Sequence, residues 1–275
     1  MKKILLFGMA VTMLTVYSCS TVPLSGRNRL SFINESEMQT AAAQSYTALL
    51  KDPGTKVLNN TEAARVKRIG QKIANAVTQY MNANGYAEQI QGFKWEFNLI
   101  ESPEINAWCM PGGKVAVYTG ILPVTKDDAG LATVMGHEIA HAVAKHSSER
   151  ASKATLAEGV GGLLGAATAG KSAGTQQILN QVYGIGAQTA YLLPNSRTQE
   201  LEADHLGLIF MSMAGYNPSN AVSFWQRMAT ASASSSKPPE FLSTHPADAT
   251  RIAQIQKDLP EAQRYLNSTT GKPVK

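Results

Sequence analysis

His137-Glu138-Ile139-Ala140-His141 places two imidazoles one helical turn apart, with a carboxylate between them. On a helix, residues four apart share a face, with Cβ atoms about 5–6 Å apart. Both rings can then reach a single zinc ion at about 2.0–2.1 Å. Glu138 projects about 100° round from His137, from where it can take a proton from water at the metal instead of ligating. The segment lies in an apolar helical pattern of Leu131, Val134, Met135 and Val143. Two ordinary helix histidines there would be buried polar rings in want of partners. The spacing therefore reads as zinc binding by His137 and His141, with Glu138 as the catalytic base.

A catalytic zinc takes three protein ligands and keeps one position open. A third histidine six residues beyond His141 is missing, because position 147 is Ser. His146 misses that register and is expected on the outer part of the helix. The remaining ligand must come from another helix, and Glu200-Leu201-Glu202-Ala203-Asp204 is the best source. Glu200 and Asp204 share a face there. Glu200 can complete a His-His-Glu set, while Asp204 can hold a ligand imidazole by its second nitrogen and so fix its tautomer. Spacing alone leaves Glu202 as a rival to Glu200. A tetrahedral oxyanion also needs stabilising; Arg251 and the zinc itself are both candidates.

These residues need a scaffold. Glu35 to Leu50 and Thr61 to Tyr80 show helical spacing, the second through Val66, Ile69, Ile73 and Val77. Phe93 to Ile100 alternates Phe93, Trp95, Phe97 and Leu99 with polar neighbours, as a half-buried strand does. Pro111-Gly112-Gly113 marks a turn before a strand at Lys114 to Tyr118. A long helix is expected from about Asp127 to Arg150, another from Thr198 to Met213, one after Asn217-Pro218-Ser219, and a last from about Ala247. Ser232 to Pro239 reads as a mobile loop, and residues 154–175 are rich in Gly and Ala. Cys109 reads as a small buried hydrophobe, since no base lies near it in sequence.

The N-terminus reads as an address. Met1-Lys2-Lys3 is a positive start, and the apolar run from Ile4 to Val16 falls short of the roughly 20 residues a membrane span needs. Val16-Tyr17-Ser18-Cys19 resembles a bacterial lipobox, which implies cleavage before Cys19 and a lipid on its sulfur. Acyl chains contribute about 0.8 kcal/mol per buried methylene. Residues 1–18 are thus expected as a lipoprotein signal peptide and 19–34 as a lipid-anchored tether. A single catalytic domain is expected over 35–275, lipid-anchored in the bacterial cell envelope and facing the periplasm, outer membrane rather than inner.

Composition limits the rival classes. Hydrophobic residues make up 44% of the chain and charged residues 16%, which excludes disorder over most of its length. The net charge of +5 is mild and scattered, so no nucleic-acid partner is expected. Two cysteines exclude a disulfide scaffold. Gly165 to Ser172 matches the phosphate-cradling G-x-x-x-x-G-K-S pattern, but it lacks a preceding strand and a later acid for Mg²⁺, so no nucleotide is expected.

The H-E-x-x-H segment, Glu200-x-x-x-Asp204, and Asn106-Ala107 before Pro111-Gly112-Gly113 together resemble the HtpX, BepA and CAAX-prenyl-protease group of gluzincin-type zinc metalloendopeptidases. Pro23-Leu24-Ser25-Gly26-Arg27 is similar to the stretch after the lipidated cysteine in bacterial members. The resemblance implies an α+β, predominantly helical, zincin-like fold with a small β-sheet whose edge strand borders the active-site cleft. It selects Glu200 over Glu202 and implies that the Asn106–Ala107 edge pairs with extended substrate. It further implies one Zn²⁺ per chain and unfolded or misfolded envelope polypeptides as substrates. Some lipoprotein relatives carry a His-Pro like His245-Pro246, whose imidazole can sit on the zinc. By that resemblance His245 is a fourth, inhibitory ligand, with a role in substrate or oxyanion stabilisation as its alternative. A zinc lipoprotein acting as an assembly chaperone is the rival function.

Overall fold

The computed structural model describes residues 19–155, 195–233, 239–245 and 249–266. Its strands are β1 (Cys19–Thr21), β2 (Asn28–Leu30), β3 (Glu96–Ile100), β4 (Ala107–Met110) and β5 (Lys114–Tyr118). Its main helices are α1 (Glu35–Lys51), α2 (Thr61–Ala83), α3 (Asp128–Val143), α4 (Arg197–Met213), α5 (Asn220–Ala233), α6 (Glu240–Thr244) and α7 (Ala249–Gln263). The architecture is α+β and predominantly helical, as expected. The phosphate-loop pattern at 165–172 lies outside the described residues, as do most of the Gly/Ala-rich stretch and residues 234–238 of the expected loop.

Helix α3 organises the rest. Every residue from Gly130 to Val143 is buried, and a helix apolar on all sides must lie inside a fold. Asp127 caps its start, accepting from the Gly130 N–H at 2.8 Å, a contact worth about 1 kcal/mol. Helix α2 lays its stripe of Val66, Ile69, Ile73 and Val77 into the same core. Each such side chain contributes about 1.5–3 kcal/mol by leaving water.

The sheet runs β3-β5-β4, with β3 parallel and β4 antiparallel to β5. Period-two alternation divides its side chains cleanly. Phe97, Leu99, Ala107, Cys109, Val115 and Val117 join the main core, whereas Ile100, Met110 and Ala116 pack with Tyr46 of α1 on the other face. Strand β3 is therefore covered on both sides, not half-buried. The turn into β5 requires Gly112 and Gly113, at φ +82° and +83°, values that L side chains rarely adopt.

Two further expectations need correction. The helix expected to run to Arg150 stops at Val143. Lys145 takes φ +54°, and the chain turns before residues 146–155 become helical again. The segment expected as a tether is also part of the fold. β1 and β2 pair as a hairpin, Val22 is wholly buried, and Arg29 is 3% exposed. Arg29 donates to Gln89 at 2.8 Å and to the Ala144 carbonyl at the end of α3. An arginine there satisfies a carbonyl that the helix itself cannot. No helix among the described residues is long and apolar enough to cross a membrane.

Candidate active site

Helices α3 and α4 cross where both carry glycine. A Cβ on Gly136 would stand 2.8 Å from the Gly207 carbonyl oxygen, and one on Gly207 would stand 2.9 Å from the His137 backbone nitrogen. Only hydrogen fits at this crossing. A capping box at Ser196 and Gln199 opens α4, so Glu200 and Asp204 face α3 within its first turns.

That approach brings His137, His141, Glu200 and His245 together, each buried, with one donor atom apiece lying within 4.8 Å of the others. His141 Nε2 stands 3.0 Å from His137 Nε2 and 3.3 Å from Glu200 Oε1. His245 enters from the end of α6, its Nδ1 being 3.0 Å from Glu200 Oε1 and 3.1 Å from His137 Nε2. Three imidazoles and a carboxylate turning lone pairs on one dry point form a donor set that fits a cation such as zinc. On the outer side of His137, Nδ1 lies 3.0 Å from Asp204 Oδ1.

Glu138 is 3% exposed and stands beside the cluster, with Oε1 3.4 Å from His245 Nε2. Burial pushes its carboxyl up to about 7; nearby Glu200 acts in the same direction, while His245 and Arg251 oppose both. A carboxyl poised there is suited to accepting and returning a proton near neutral pH. Glu200 moves the other way. Burial works against its ionisation, yet the charges of His245 and Arg251, with His137 and His141 alongside, hold it well below the usual range. Cys109 is buried, and burial drives its thiol well above the ordinary value, consistent with a packing role.

Arg251, one of the two oxyanion candidates, lies among the side chains of the cluster itself. It is 2% exposed and lies against the face of Trp225 at 3.6 Å. Its guanidinium holds Asp204 Oδ1 at 2.8 Å and Glu200 Oε2 at 2.8 Å, and it does not line the cleft. Nη1 also donates to the His245 carbonyl at 3.3 Å, and Nη2 lies 3.2 Å from each ring nitrogen of His137.

His146 departs from expectation. The turn at Lys145 folds it back, so that it is wholly buried with Nδ1 2.7 Å from His141 Nδ1. Burial holds its pKa below the ordinary value. Its Nε2 lies 2.9 Å from Glu202 Oε2. Glu202, the sequence rival to Glu200, thus stands behind the cluster. Helical periodicity, carried unbroken past Val143, could not reveal this pairing.

A cleft of about 390 Å³ opens over Glu138, His141 and His245, and Asn106 and residues 107–110 of β4 form one wall. Within the described sheet β4 pairs only with β5. Tyr118 N–H donates to the Asn106 carbonyl at 3.0 Å, so in antiparallel alternation Asn106 and Trp108 direct their backbone groups at β5. Ala107 and Cys109 turn theirs the other way. The Asn106 side chain accepts from Ala107 N–H at 2.9 Å. Sequence reasoning missed Arg150, Asn195 and Glu240, which also line the cleft, because no motif marks them.

A buried two-histidine, one-glutamate cluster with a second glutamate alongside, under a cleft walled by a strand edge, defines the class of zinc-dependent metallopeptidases. Comparison with known proteins agrees. Residues 60–259 match Peptidase family M48. The mitochondrial metalloendopeptidase OMA1 of Schizosaccharomyces pombe is 34% identical over 242 residues, covering 88% of this chain and 67% of that protein. The Saccharomyces cerevisiae OMA1 is 31% identical over 255 residues, covering 90% and 71% respectively. The β-barrel assembly-enhancing protease of Escherichia coli is 28% identical over 191 residues, covering 66% of this chain and 38% of that protein. The chain belongs to peptidase family M48 and is a zinc metalloendopeptidase acting on polypeptides.

Proposed function

We propose that this metalloendopeptidase cleaves unfolded or misfolded polypeptides in the bacterial cell envelope, held to a membrane by a lipid on Cys19. The observation that carries the reading is the juxtaposition of Glu138 and the His137–His141–Glu200 cluster with the outward-turned backbone of Ala107 and Cys109. An extended chain laid along β4 adds a strand through main-chain hydrogen bonds and needs no particular side-chain sequence. Similarity to the E. coli β-barrel assembly-enhancing protease supports the envelope setting; the yeast relatives are mitochondrial by name.

His137, His141 and Glu200 hold the zinc, and Asp204 orients His137. Bound zinc supplies Lewis acidity towards water and the scissile carbonyl. Glu138 accepts the proton from the attacking water and returns it to the leaving amine. The approach of His245 Nδ1 to Glu200 Oε1 at 3.0 Å and to His137 Nε2 at 3.1 Å, with Nε2 3.4 Å from Glu138 Oε1, supports a resting state in which His245 would join the residues that hold the zinc. Withdrawal of His245 then opens the site to substrate.

The test is cleavage of casein by the purified protein with and without chelator, followed by comparison of the envelope proteins that accumulate on Glu138→Gln with those in wild type. Chelator-resistant cleavage would exclude the zinc mechanism. An unchanged envelope profile alongside active casein cleavage would exclude the quality-control role.

A further inference from the structure

The N-terminal stretch Pro23–Arg27 reaches the back of the metal centre. Val22 N–H donates to the Arg27 carbonyl at 2.9 Å, and Gly26 N–H to the Val22 carbonyl at 3.0 Å, closing a tight loop. Leu24 is held within it at φ +68°, a conformation rarely adopted by L side chains. Arg27 projects from this loop onto α4. Its Nε and Nη2 donate to Glu202 Oε2 at 2.8 and 2.6 Å, and its Nη1 and Nη2 donate to Glu149 at 3.0 and 2.8 Å. The Ser25 hydroxyl donates to the other Glu202 oxygen.

We propose that Arg27 is a positioning residue of the metal centre, fixing the orientation and tautomer of His141 through Glu202 and His146. The inference rests on the reading of His141 as a zinc ligand.

The hydrogen-bond directions leave one consistent arrangement. Glu202, gripped by Arg27 and Ser25, is an acceptor on both oxygens, so His146 donates to it from Nε2 across 2.9 Å. An imidazole with its single proton on Nε2 offers a lone pair at Nδ1. His141 Nδ1 lies 2.7 Å away and must therefore donate. That places the His141 proton on Nδ1 and leaves the Nε2 lone pair directed at the metal position, the form a ligand requires. The three links carry the influence of a residue outside the family-matched segment 60–259 to a ligand inside it.

Zinc affinity measured by chelator competition, the visible absorption of the Co²⁺-substituted protein, and kcat and KM on an unfolded substrate test this directly. Arg27→Ala is expected to weaken zinc about 10–100-fold, shift the Co²⁺ bands and lower kcat, with KM held within about twofold. Arg27→Lys, which keeps the charge without the two-pronged grip, should recover part of each change. Arg65→Ala breaks a part-buried arginine's ion pairs with Glu62 and Asp128, away from the relay, and should leave zinc affinity and the Co²⁺ bands at wild-type values, which separates positioning from general loosening. Should Arg27→Ala fail to fold, Arg27→Lys and His146→Gln decide the matter: wild-type zinc affinity and Co²⁺ bands in both would overturn the proposal. His141→Ala is run alongside. Full zinc retention there would overturn the ligand reading itself, whereas zinc loss there with no effect of Arg27 or His146 substitution would overturn only the relay.

Discussion

His137 Nδ1 stands 3.0 Å from Asp204 Oδ1, and Arg251 grips the same carboxylate through Nη2 at 2.8 Å. The carboxylate accepts the Nδ1 proton and leaves Nε2 free for the metal, while Arg251 keeps it ionised and in place. Asp204→Asn is expected to weaken zinc about 10–100-fold with the fold retained. Chelator competition measures this, and wild-type affinity would show that Asp204 does not orient the ligand.

Glu138 and Glu200 are separable by experiment although both are buried glutamates. Glu138→Gln is expected to keep one zinc per chain and lose peptidase activity by about 10²–10⁴-fold, the usual range for a removed acid–base group. Glu200→Ala should lose the metal as well. Elemental analysis beside casein cleavage distinguishes the two, and near-wild-type turnover by Glu138→Gln would refute its role as base.

His245 is expected to restrain the enzyme. His245→Ala should retain zinc through His137, His141 and Glu200 and cleave unfolded substrate faster than wild type. Equal or slower cleavage at full zinc occupancy would rule out inhibition, and slower cleavage would point to the substrate or the oxyanion instead.

The glycine crossing gives a prediction about stability. Gly207→Ala sets a methyl group 2.9 Å from the His137 backbone nitrogen, so α3 and α4 must part. Overpacking of this kind typically costs about 1–3 kcal/mol. Zinc affinity should fall with it, because the ligands come from both helices. Urea unfolding of the zinc-loaded and zinc-free proteins measures both effects; an unchanged midpoint would mean that the crossing relaxes without strain.

Acid should loosen the contact between the N-terminal loop and the helices. Burial works against ionisation of Glu149 and Glu202. Hydrogen bonds from Arg27, Lys153 and Gln199 to the first, and from His146, Arg27 and Ser25 to the second, nonetheless bring each to about 2 from an ordinary 4.5. The folded state thus binds fewer protons than the unfolded state between those values. The stabilisation is complete above about pH 4.5 and is lost as pH falls towards about 2. Glu149→Gln should show a shallower decline of the urea midpoint across this window. Equal slopes would indicate that Glu149 titrates alike in both states.

Periodicity and local chemistry made most of the frame legible. Helix α1 was expected from Glu35 to Leu50 and runs from Glu35 to Lys51, and the strand at Lys114 to Tyr118 has the expected bounds. These segments carry their own signals, namely caps, apolar stripes and turn glycines. His146 was misplaced because a single left-handed residue, Lys145, broke a pattern that otherwise continued. The surroundings of Arg251 are illegible in sequence for a different reason. A lone arginine in sequence does not reveal which buried carboxylates will meet it, and Asp204 and Glu200 come from an earlier helix. Arg27 lay in a stretch noticed for its resemblance, but its partners are more than a hundred residues distant.

The family match starts at residue 60, yet Arg27 and Arg29 reach the metal-bearing helices from well before it. A fragment trimmed to the match would keep Glu149 and Glu202 without their shared cation and leave the Ala144 carbonyl bare at the end of α3. Breaking a fully buried pair costs about 3–5 kcal/mol; Arg27, 23% exposed, would cost less for each partner but loses two at once. Against a typical total stability of about 5–15 kcal/mol, that is a large fraction. The smallest self-supporting piece of this enzyme therefore begins upstream of Arg27, and a cut anywhere between that hairpin and α1 would sever the support from the helices it braces.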